Sequence, residues 1–279
     1  MKHSSGSLRR RAARVAFAGL LSGLLAACAA PDADLSATGG VYDPLEPVNR
    51  AVFDFNTAVD DVILEPVARG YAEVVPPPLQ GGVTNFLRHL RTPVIFANEV
   101  LQGDWEGAEN AAARFFINTI AGVGGLVDVA AYNGYTFQDE DFGQTLALWG
   151  VGEGPYLVLP LLGPSNARDA VGTAVDSAAD PFGIIANQAE DGIYFIAGRG
   201  VLSAIDARAR NLDTIADIRD NSLDYYASVR SIYQQFRTAQ IRESQDEADG
   251  GSGTGAPGAD EFISPASDDA PGAEDFVSP

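Results

Sequence analysis

Residue types that commonly carry out chemistry are scarce in this 279-residue chain. The chain contains one cysteine, Cys28, and two histidines, of which only His89 follows that cysteine. Serine, cysteine and zinc hydrolases need a histidine beside a nucleophile or a set of metal ligands. This inventory excludes those classes, and the sequence also lacks the G-x-S-x-G motif of a nucleophile elbow. His89 lies among arginines in a helical segment, and we interpret it as a helix-surface or capping residue.

A cluster of glycines at Gly150, Gly152 and Gly154 is the clearest candidate for a ligand-binding loop. A dinucleotide fingerprint would need its third glycine at position 155, which is Pro155. A P-loop needs Gly-Lys-Ser/Thr, and the only lysine of the chain is Lys2. We therefore expect no cofactor. Glycine adopts backbone angles that other residues resist, so the cluster forms either a tight turn or a hinge.

The acidic run from Asp139 to Asp141 is a candidate cation site. Its surroundings lack the alternating ligand spacing of a calcium loop, and we interpret it as a solvated loop. No carboxylate pair stands out for glycoside chemistry. These residues therefore identify no metal site and no catalytic carboxylate pair, although any acidic protein contains candidate carboxylates.

The amino terminus has the pattern of an export signal. Lys2 and four arginines precede an apolar segment, residues 15–27, which is too short to span a bilayer. The segment ends in Leu25-Ala26-Ala27-Cys28, which is typical of a lipoprotein cleavage site. We predict that residues 1–27 are removed and that Cys28 carries acyl chains. Alanines after the cysteine favour sorting to the outer membrane; the alternative is an ordinary signal with an incidental cysteine.

Charge narrows the range of partners for the mature chain. The signal contains five of the 18 basic residues and no acidic one, so its removal lowers the net charge from −20 to −25. Such a surface disfavours nucleic acid as a partner. Small and polar residues over 28–42 predict a flexible tether. Residues 243–279 are acidic and rich in Gly, Ser and Pro, which predicts a disordered tail.

The tail contains a repeat, because APGADEFISP at 256–265 returns as APGAEDFVSP at 270–279. One interpretation is a duplicated solvating spacer. The other is a pair of docking motifs in which Phe262-Ile263 and Phe276-Val277 contact a partner.

Helical periodicity dominates the remaining domain, residues 43–242, and predicts an all-α fold. Apolar residues recur with helical spacing from Val48 to Leu64, and a short helix is expected after the prolines at 76–78. Further helices are expected over 107–122 and along two late stripes, the last with Asn221 or Ser222 as its N-cap. The richest apolar stretches, 115–131 and 146–162, are interrupted by Gly, Pro, Asn and Asp. They suit either a buried core or helices in a bilayer interface.

Five segments, taken in order, carry a family resemblance: DPLEPVNRAVFDFN at 43–56, NFLRHLRTPVIFANEVLQGD at 85–104, RFFINTIAGVGGLVDVA at 114–130, DFGQTLALWGVGEGPYLVLPLLGPSNARD at 141–169, and DYYASVRSIYQQ at 224–235. Together they resemble the MlaA (VacJ) family of outer-membrane lipoproteins. The match loosens after Pro181 and does not include the acidic repeats.

The resemblance implies a ring-shaped assembly of amphipathic helices around a central amphipathic passage, on the periplasmic side of the outer membrane beside a trimeric porin. Misplaced glycerophospholipids would leave the outer leaflet through the passage to a soluble periplasmic carrier, which is MlaC-like, and no bond would be made or broken. The alternatives are a structural or adaptor lipoprotein and a lipid hydrolase, of which the missing catalytic residues weaken the second.

The resemblance also implies roles for particular residues. Gly150 and Gly152 would form the hinge of a mobile loop over 133–152, and Phe55 and Asn56 would keep the passage in its resting state. A phospholipid passage needs an apolar track and polar positions. The candidates for the track are Phe115, Phe116, Leu157 and Leu159, and the candidates for polar positions are Asn49, Arg50 and Asn56. The alternative for each of these side chains is ordinary core packing.

Overall fold

The computed structural model describes residues 41–248. Cys28 and the signal, most of the tether and the repeats of the acidic tail lie outside the described residues. The helices are α1 (Glu46–Val59), α2 (Glu65–Val74), α3 (Pro77–Gln102), α4 (Trp105–Ile120), α5 (Phe142–Leu148), α6 (Ala167–Ala179), α7 (Pro181–Ala186), α8 (Gly192–Arg210), α9 (Leu212–Asn221) and α10 (Tyr225–Ala248). A hairpin of β1 (Tyr156–Leu159) and β2 (Gly163–Asn166) lies between α5 and α6.

The first helical segment is continuous from Glu46 to Val74, because a π-helical turn (Asp60–Leu64) joins α1 to α2. Single π turns inside helices often occur at functional positions. Here the widened turn brings two carboxylates to Arg208 of α8. The Arg208 guanidinium donates to Asp60 at 2.8 Å and to Glu65 at 2.9 Å. The pairing fastens α8 to the start of the domain.

The prediction of a short helix after the proline run was wrong, because α3 is 26 residues long. Proline favours the first helical turn, where its missing N–H would have no partner, and α3 begins in that way. Pro93 lies inside the helix without ending it. Gly103 terminates α3 in the left-handed conformation, with φ of +86°.

Four of the helices described between residues 41 and 248 are capped at their N-terminus by a side chain that accepts hydrogen bonds from the first turn. The capping residues are Asp104 for α4, Asp141 for α5, Asn166 for α6 and Asp180 for α7. The last helix also differs from its prediction: Asp224, rather than Asn221 or Ser222, accepts from the Ala227 N–H in its first turn. This helix continues to Ala248, six residues beyond the predicted domain boundary.

The all-α prediction is confirmed, since the strands described between residues 41 and 248 form one antiparallel hairpin. Contacts between elements close into a circuit. In order, it passes from α1 to the hairpin, then to α10, α5, α3, α8 and α2, and returns to α1 through the π turn. Such a circuit is the connectivity that the predicted ring requires.

Within residues 41–248, no helix is both long enough and apolar enough to cross a membrane.

Candidate functional site

Asn49 of α1 holds the hairpin by its backbone. Its side-chain amide donates to the Tyr156 carbonyl at 2.9 Å and accepts from the Val158 N–H at 3.0 Å. The side chain imitates a neighbouring strand, and satisfies two backbone groups that would otherwise be buried without partners. Asn49 is only 3% exposed, so the candidate role in lipid contact does not fit this conformation.

Asn56, two helical turns after Asn49, makes the same kind of contact with the hairpin backbone three residues further along the chain. It donates to the Leu159 carbonyl at 3.0 Å and accepts from the Leu161 N–H at 2.8 Å. Seven helical residues rise about 10 Å, and three strand residues also rise about 10 Å. The spacing of the two asparagines therefore matches the strand, and α1 and β1 run side by side in register. We call this pair, Asn49 and Asn56, the asparagine clamp.

The two faces of β1 have different surroundings. Tyr156 and Val158 are buried and pack with Tyr226 of α10 in the small apolar core. Leu157 and Leu159 alternate with them and are half-buried on the other face. The turn of the hairpin exposes Leu161 and Leu162, and Leu161 has a positive φ of 63°.

Arg50 pairs with carboxylates of the protein, although 39% of its side chain is exposed. It donates to Glu46 and, from a second nitrogen at 2.7 Å, to Asp224 beside α10, and its guanidinium lies over the Tyr226 ring. Phe55, on the same helix, is about half exposed at 52%. The predicted polar and channel-state positions thus lie together on α1, where Asn49 and Arg50 have structural partners.

The predicted apolar positions on α4 differ in exposure. Phe115 is half-buried and stacks on His89, with ring centroids 4.9 Å apart, whereas Phe116 is 62% exposed. The interpretation of His89 as a helix-surface residue was wrong, because it is only 7% exposed. Burial, and secondarily the charge of Arg114, lowers the pKa of His89, so the ring is neutral at neutral pH.

The glycine cluster follows α5. Gly150 has φ of +85° and its N–H bonds to the Ala147 carbonyl, so it ends the helix as a left-handed cap. Gly152 has no such constraint, and a Cβ at either position would meet no atom within 4 Å. Trp149, which precedes the cluster, donates to the Leu101 carbonyl at 3.2 Å. The segment is sterically open, and its hinge role remains a prediction.

A buried ion cluster joins α5, α6 and α10. Arg237 donates to Asp169 at 2.8 Å and to Asp141 at 2.7 Å, with two nitrogens directed to each carboxylate. Asp169 also accepts from Tyr233 at 2.6 Å. Burial alone would raise the pKa of Asp169, but the Arg237 charge more than offsets this and lowers it. We call Arg237, Asp141 and Asp169 the arginine cluster; no motif in the sequence indicated it.

A second buried cluster contains acids without a base. Glu99 of α3 is 1% exposed and Glu140 is 4% exposed, and Ser244 and Gln102 donate to Glu140. Burial, then the charges of Asp104 and Glu247, raises the pKa of Glu99 to about 8. Burial and the charge of Glu99 raise the pKa of Glu140 well above its ordinary value. We call Glu99 and Glu140 the acid pair; the solvated-loop interpretation was wrong for Glu140.

The sequence did contain a signal for Glu99. It follows Ile95 by four residues, which places both on the same face of a helix, and Ile95 is 2% exposed. A charged residue on an apolar stripe is informative, because burying a charge is unfavourable unless it is paired or neutralised.

The distribution of side chains is inverted relative to that of a water-soluble domain. Among residues 41–248, ten hydrophobic residues are buried, whereas 20 polar or charged residues are buried and 30 large hydrophobic residues are exposed. Exposed apolar surface on this scale marks a protein or membrane interaction. Its best-exposed members are distributed over helices, connecting segments and the hairpin turn: Val62, Val74, Trp105, Ile120, Val123, Tyr132, Leu162, Tyr194 and Leu223.

Known proteins resemble this chain in sequence and in fold. A family model described as MlaA lipoprotein matches residues 41–240. An uncharacterized protein of Rickettsia bellii is 36% identical over 208 residues, which cover 72% of this chain and 78% of that protein. The intermembrane phospholipid transport system lipoprotein MlaA of Escherichia coli is 36% identical over 216 residues, covering 76% of this chain and 82% of that one.

A solved structure described as the structural basis for maintenance of bacterial outer membrane lipid asymmetry aligns with a TM-score of 0.62. It is 37% identical, and the alignment covers 71% of this chain and 98% of the other. The family model spans more than half of the chain, and the relatives exceed 30% identity over more than two thirds of it. The chain therefore belongs to the MlaA lipoprotein family.

Proposed function

We propose that this protein is an outer-membrane lipoprotein that extracts misplaced glycerophospholipids from the outer leaflet and passes them through a passage between its helices to a soluble periplasmic carrier. The result is maintenance of outer-membrane lipid asymmetry. The relatives named for intermembrane phospholipid transport, and the structural relative named for lipid asymmetry, support this role. The proposal includes no bond cleavage and no cofactor.

The inverted distribution of side chains is the observation that carries the proposal. Large apolar residues cover the surface of described helices, while carboxylates, amides and guanidinium groups pair in the interior. A protein lying in a bilayer interface gains from this arrangement, because its exterior contacts acyl chains and its polar groups bond to one another. A lipoprotein that only tethered a partner from water would gain nothing from such a surface.

The hairpin is the element that we assign to the wall of the passage. Leu157 and Leu159 form the apolar face opposite the buried core, and the asparagine clamp fixes their position relative to α1. Asn56 lies at the exposed end of the clamp, next to Phe55. Loss of its two bonds would free the hairpin turn, which fits a role for these residues in the resting state.

Acyl chains on Cys28 would provide the anchor, since two or more chains give stable membrane attachment where one gives marginal binding. A trimeric porin beside the protein would cover part of its apolar surface. The carrier would collect lipid at the periplasmic end of the passage.

The glycine cluster offers the direct test of transport. In cells that produce Gly150→Val/Gly152→Val protein, a stiffer segment after α5 should impair lipid removal and raise the amount of phospholipid in the outer leaflet. Gly103→Val is the matched control, because Gly103 has nearly the same φ, +86°, also ends a helix, and has equally open surroundings.

Outer-leaflet phospholipid is measured by surface labelling of the amine headgroup, with protein amount and membrane fraction checked by immunoblotting. Normal asymmetry in the Gly150→Val/Gly152→Val strain, beside a null strain that loses asymmetry, would contradict the gating role. Normal asymmetry even in the null strain would favour the adaptor alternative. Fatty-acid release by the purified protein would revive a hydrolase.

A further inference from the structure

Helices α3 and α4 run antiparallel as a pair that is joined by the turn at Gly103. His89 of α3 stacks on Phe115 of α4, with ring centroids 4.9 Å apart. Nearer the start of α3, the Asn85 amide is 3.5 Å from the Leu126 carbonyl in the segment that follows α4. The pair therefore has two ends, the turn at Gly103 and the opposite end, which are separated by about 24 Å, the length of α4.

The two ends of the α3–α4 pair differ in charge. Residues 99–109, around the turn, include four acids and no base. Residues 74–87 and 115–127, at the opposite end, include no charged side chain, although 20% of the whole chain is charged. We call residues 74–87 and 115–127 the uncharged end. A strongly acidic protein thus has one region from which charge is excluded.

The uncharged end exposes large apolar side chains. Six of them are between 46% and 83% exposed: Val74, Leu79, Phe116, Ile120, Val123 and Leu126. Exposed apolar surface of this kind marks an interaction with a protein or a membrane. A protein interface typically has a polar rim, whereas hydrocarbon excludes unpaired charges altogether. A surface that lacks charge over two neighbouring stretches therefore fits acyl chains better than a protein partner.

Three N–H groups in the segment after α4 donate to carbonyls close by. They are those of Gly124 to Thr119 at 3.1 Å, Gly125 to Asn118 at 2.8 Å, and Val127 to Gly122 at 2.9 Å. A Cβ at Gly122 would collide with the Val127 carbonyl. A Cβ at Gly125 would collide with the His89 ring, so close packing fixes the segment. Backbone groups without partners are costly in hydrocarbon, and these internal bonds reduce that cost at the boundary of a bilayer.

Val123, in the same segment, is held exposed by an unfavourable backbone conformation. Its φ of +55° lies in the left-handed region, and 69% of the residue is exposed. Glycine, asparagine and aspartate are the usual residues in this region, and a β-branched residue there is an outlier that costs free energy. Contact with water does not offset that cost for a valine, whereas contact with acyl chains would. Leu161 in the hairpin turn is the other non-glycine residue with a positive φ in residues 41–248, and it is also apolar and exposed.

We propose that the uncharged end inserts into a phospholipid bilayer, at the boundary between headgroups and acyl chains, with Val123 among the inserted side chains. The acids around the turn at Gly103 remain in water, so the α3–α4 pair is inclined to the membrane plane. Apolar surfaces of this kind enter to a depth of about 5–10 Å. The inference rests on the membrane location in the proposed function, but it does not depend on lipid transport or on the acyl chains of Cys28.

Fluorescent labels at the two ends measure their depth. The mature lipoprotein is reconstituted in phosphatidylcholine vesicles with the label on Val123→Cys or on Trp105→Cys, and protein without either substitution shows whether Cys28 takes up label. Val123 and Trp105 are matched, because they are 69% and 71% exposed at opposite ends of the pair. We expect a nitroxide on the upper part of the acyl chains to quench the label at position 123 and to leave the label at position 105 unquenched.

Equal quenching at both positions would contradict an inclined insertion. No quenching at either position, in protein that floats with the vesicles, would overturn the inference while leaving the membrane location intact. If the label at position 123 left water only after addition of a purified porin, the occupant would be a protein, and the inference would also be overturned. Protein that did not float with the vesicles at all would overturn both the inference and the proposed location.

Substitution of Val123 separates lipid contact from strain in the fold. In the full mature chain with Cys28→Ser, which removes the acyl anchor, Val123→Gly should weaken binding to phosphatidylcholine vesicles about tenfold. The same substitution should raise Tm by about 2 °C, since glycine relieves the left-handed conformation. Val123→Thr keeps the β-branched shape and the strain, so it should weaken binding by a similar factor without raising Tm. If Val123→Gly left vesicle binding unchanged or lowered Tm, the contact with lipid or the strain that supports it would be refuted.

Discussion

Helix α10 connects two buried polar regions that handle charge in opposite ways. At Arg237 it meets the arginine cluster, where one guanidinium pairs with two carboxylates. Two turns later, at Ser244, it meets the acid pair, where hydroxyl and amide groups are the donors to Glu140, and Glu99 has no donor among residues 41–248. The same helix thus contacts an ion-paired cluster at one position and a pair of buried acids without a basic partner two turns further along.

The pKa values follow this difference. Burial alone would lower the pKa of Arg237, but its bonds to Asp141 and the two carboxylate charges raise it, so the arginine cluster stays ionised through the ordinary pH range. In the acid pair, burial raises both pKa values because no cation compensates. The arginine cluster therefore keeps its charges throughout the ordinary pH range. The charge of the acid pair, in contrast, depends on pH and on the groups that neighbour it.

The largest expected effect comes from removing the arginine. Arg237→Ala leaves Asp141 and Asp169 without their cation, and breaking a buried pair in this way lowers the free energy of unfolding by about 3–5 kcal/mol. Urea unfolding of the purified protein in detergent measures the loss. Arg242→Ala, an exposed arginine on the same helix, should change it by less than about 0.5 kcal/mol. If the two substitutions lowered the free energy of unfolding equally, the arginine cluster would contribute no more to stability than an exposed arginine does.

The second prediction concerns pH. The pKa of Glu99 is raised in the folded state, from 4.5 to about 8, so the folded protein holds a proton that the unfolded chain has lost. The contribution of Glu99 to the free energy of unfolding is therefore fully present below pH 4.5, and it is lost as pH rises from 4.5 to 8. Over most of this range each pH unit lowers the free energy of unfolding by about 1.4 kcal/mol, so the expected loss between pH 6 and 8 is about 2 kcal/mol.

Glu99→Gln should flatten this slope, since the amide does not titrate, and Glu140 should leave a residual slope of the same sign. Unfolding free energies at several pH values, compared with those of the exposed control Glu73→Gln, supply the measurement. A wild-type stability that rose between pH 6 and 8 would contradict the uncompensated acid pair.

These two regions also show what the sequence can reveal. Helical periodicity identified most helices, because one apolar side chain per turn is a local property. Asp141 and Asp169 come from helix N-terminal regions and meet Arg237 only through the packing of three helices. These contacts join residues that are far apart in the sequence, so no local pattern indicates them. The hairpin was missed for a related reason: its strands have four residues each and the asparagine clamp, which is distant in sequence, satisfies part of the backbone.

A third prediction tests the packing that holds the arginine cluster together. A Cβ at Gly172 of α6 would lie 2.4 Å from the Gly143 nitrogen of α5, so Gly172→Ala forces these helices apart. We expect a loss of about 1–3 kcal/mol in the free energy of unfolding. Gly70→Ala, in a helix with no atom within 4 Å of the new methyl group, should instead stabilise by about 0.5–1 kcal/mol. In Arg237→Ala protein, Gly172→Ala should lower the free energy of unfolding by a smaller amount, because the ion pairs of the arginine cluster are already broken.

The smallest effect should come from Asn56, the exposed member of the asparagine clamp, because its hydrogen bonds join uncharged groups. Asn56→Ala removes two bonds at the exposed end of the hairpin, where water can replace them, and we expect a loss of about 1 kcal/mol or less in stability. Asn49→Ala should lose more, about 1–3 kcal/mol, because Val158 N–H and the Tyr156 carbonyl would remain buried without that partner. Amide hydrogen exchange distinguishes the two ends: Asn56→Ala should speed exchange at Leu161 while leaving Val158 protected. If exchange at Val158 became equally fast in Asn56→Ala protein, the hairpin would open as one unit, and the two asparagines would act together in holding it.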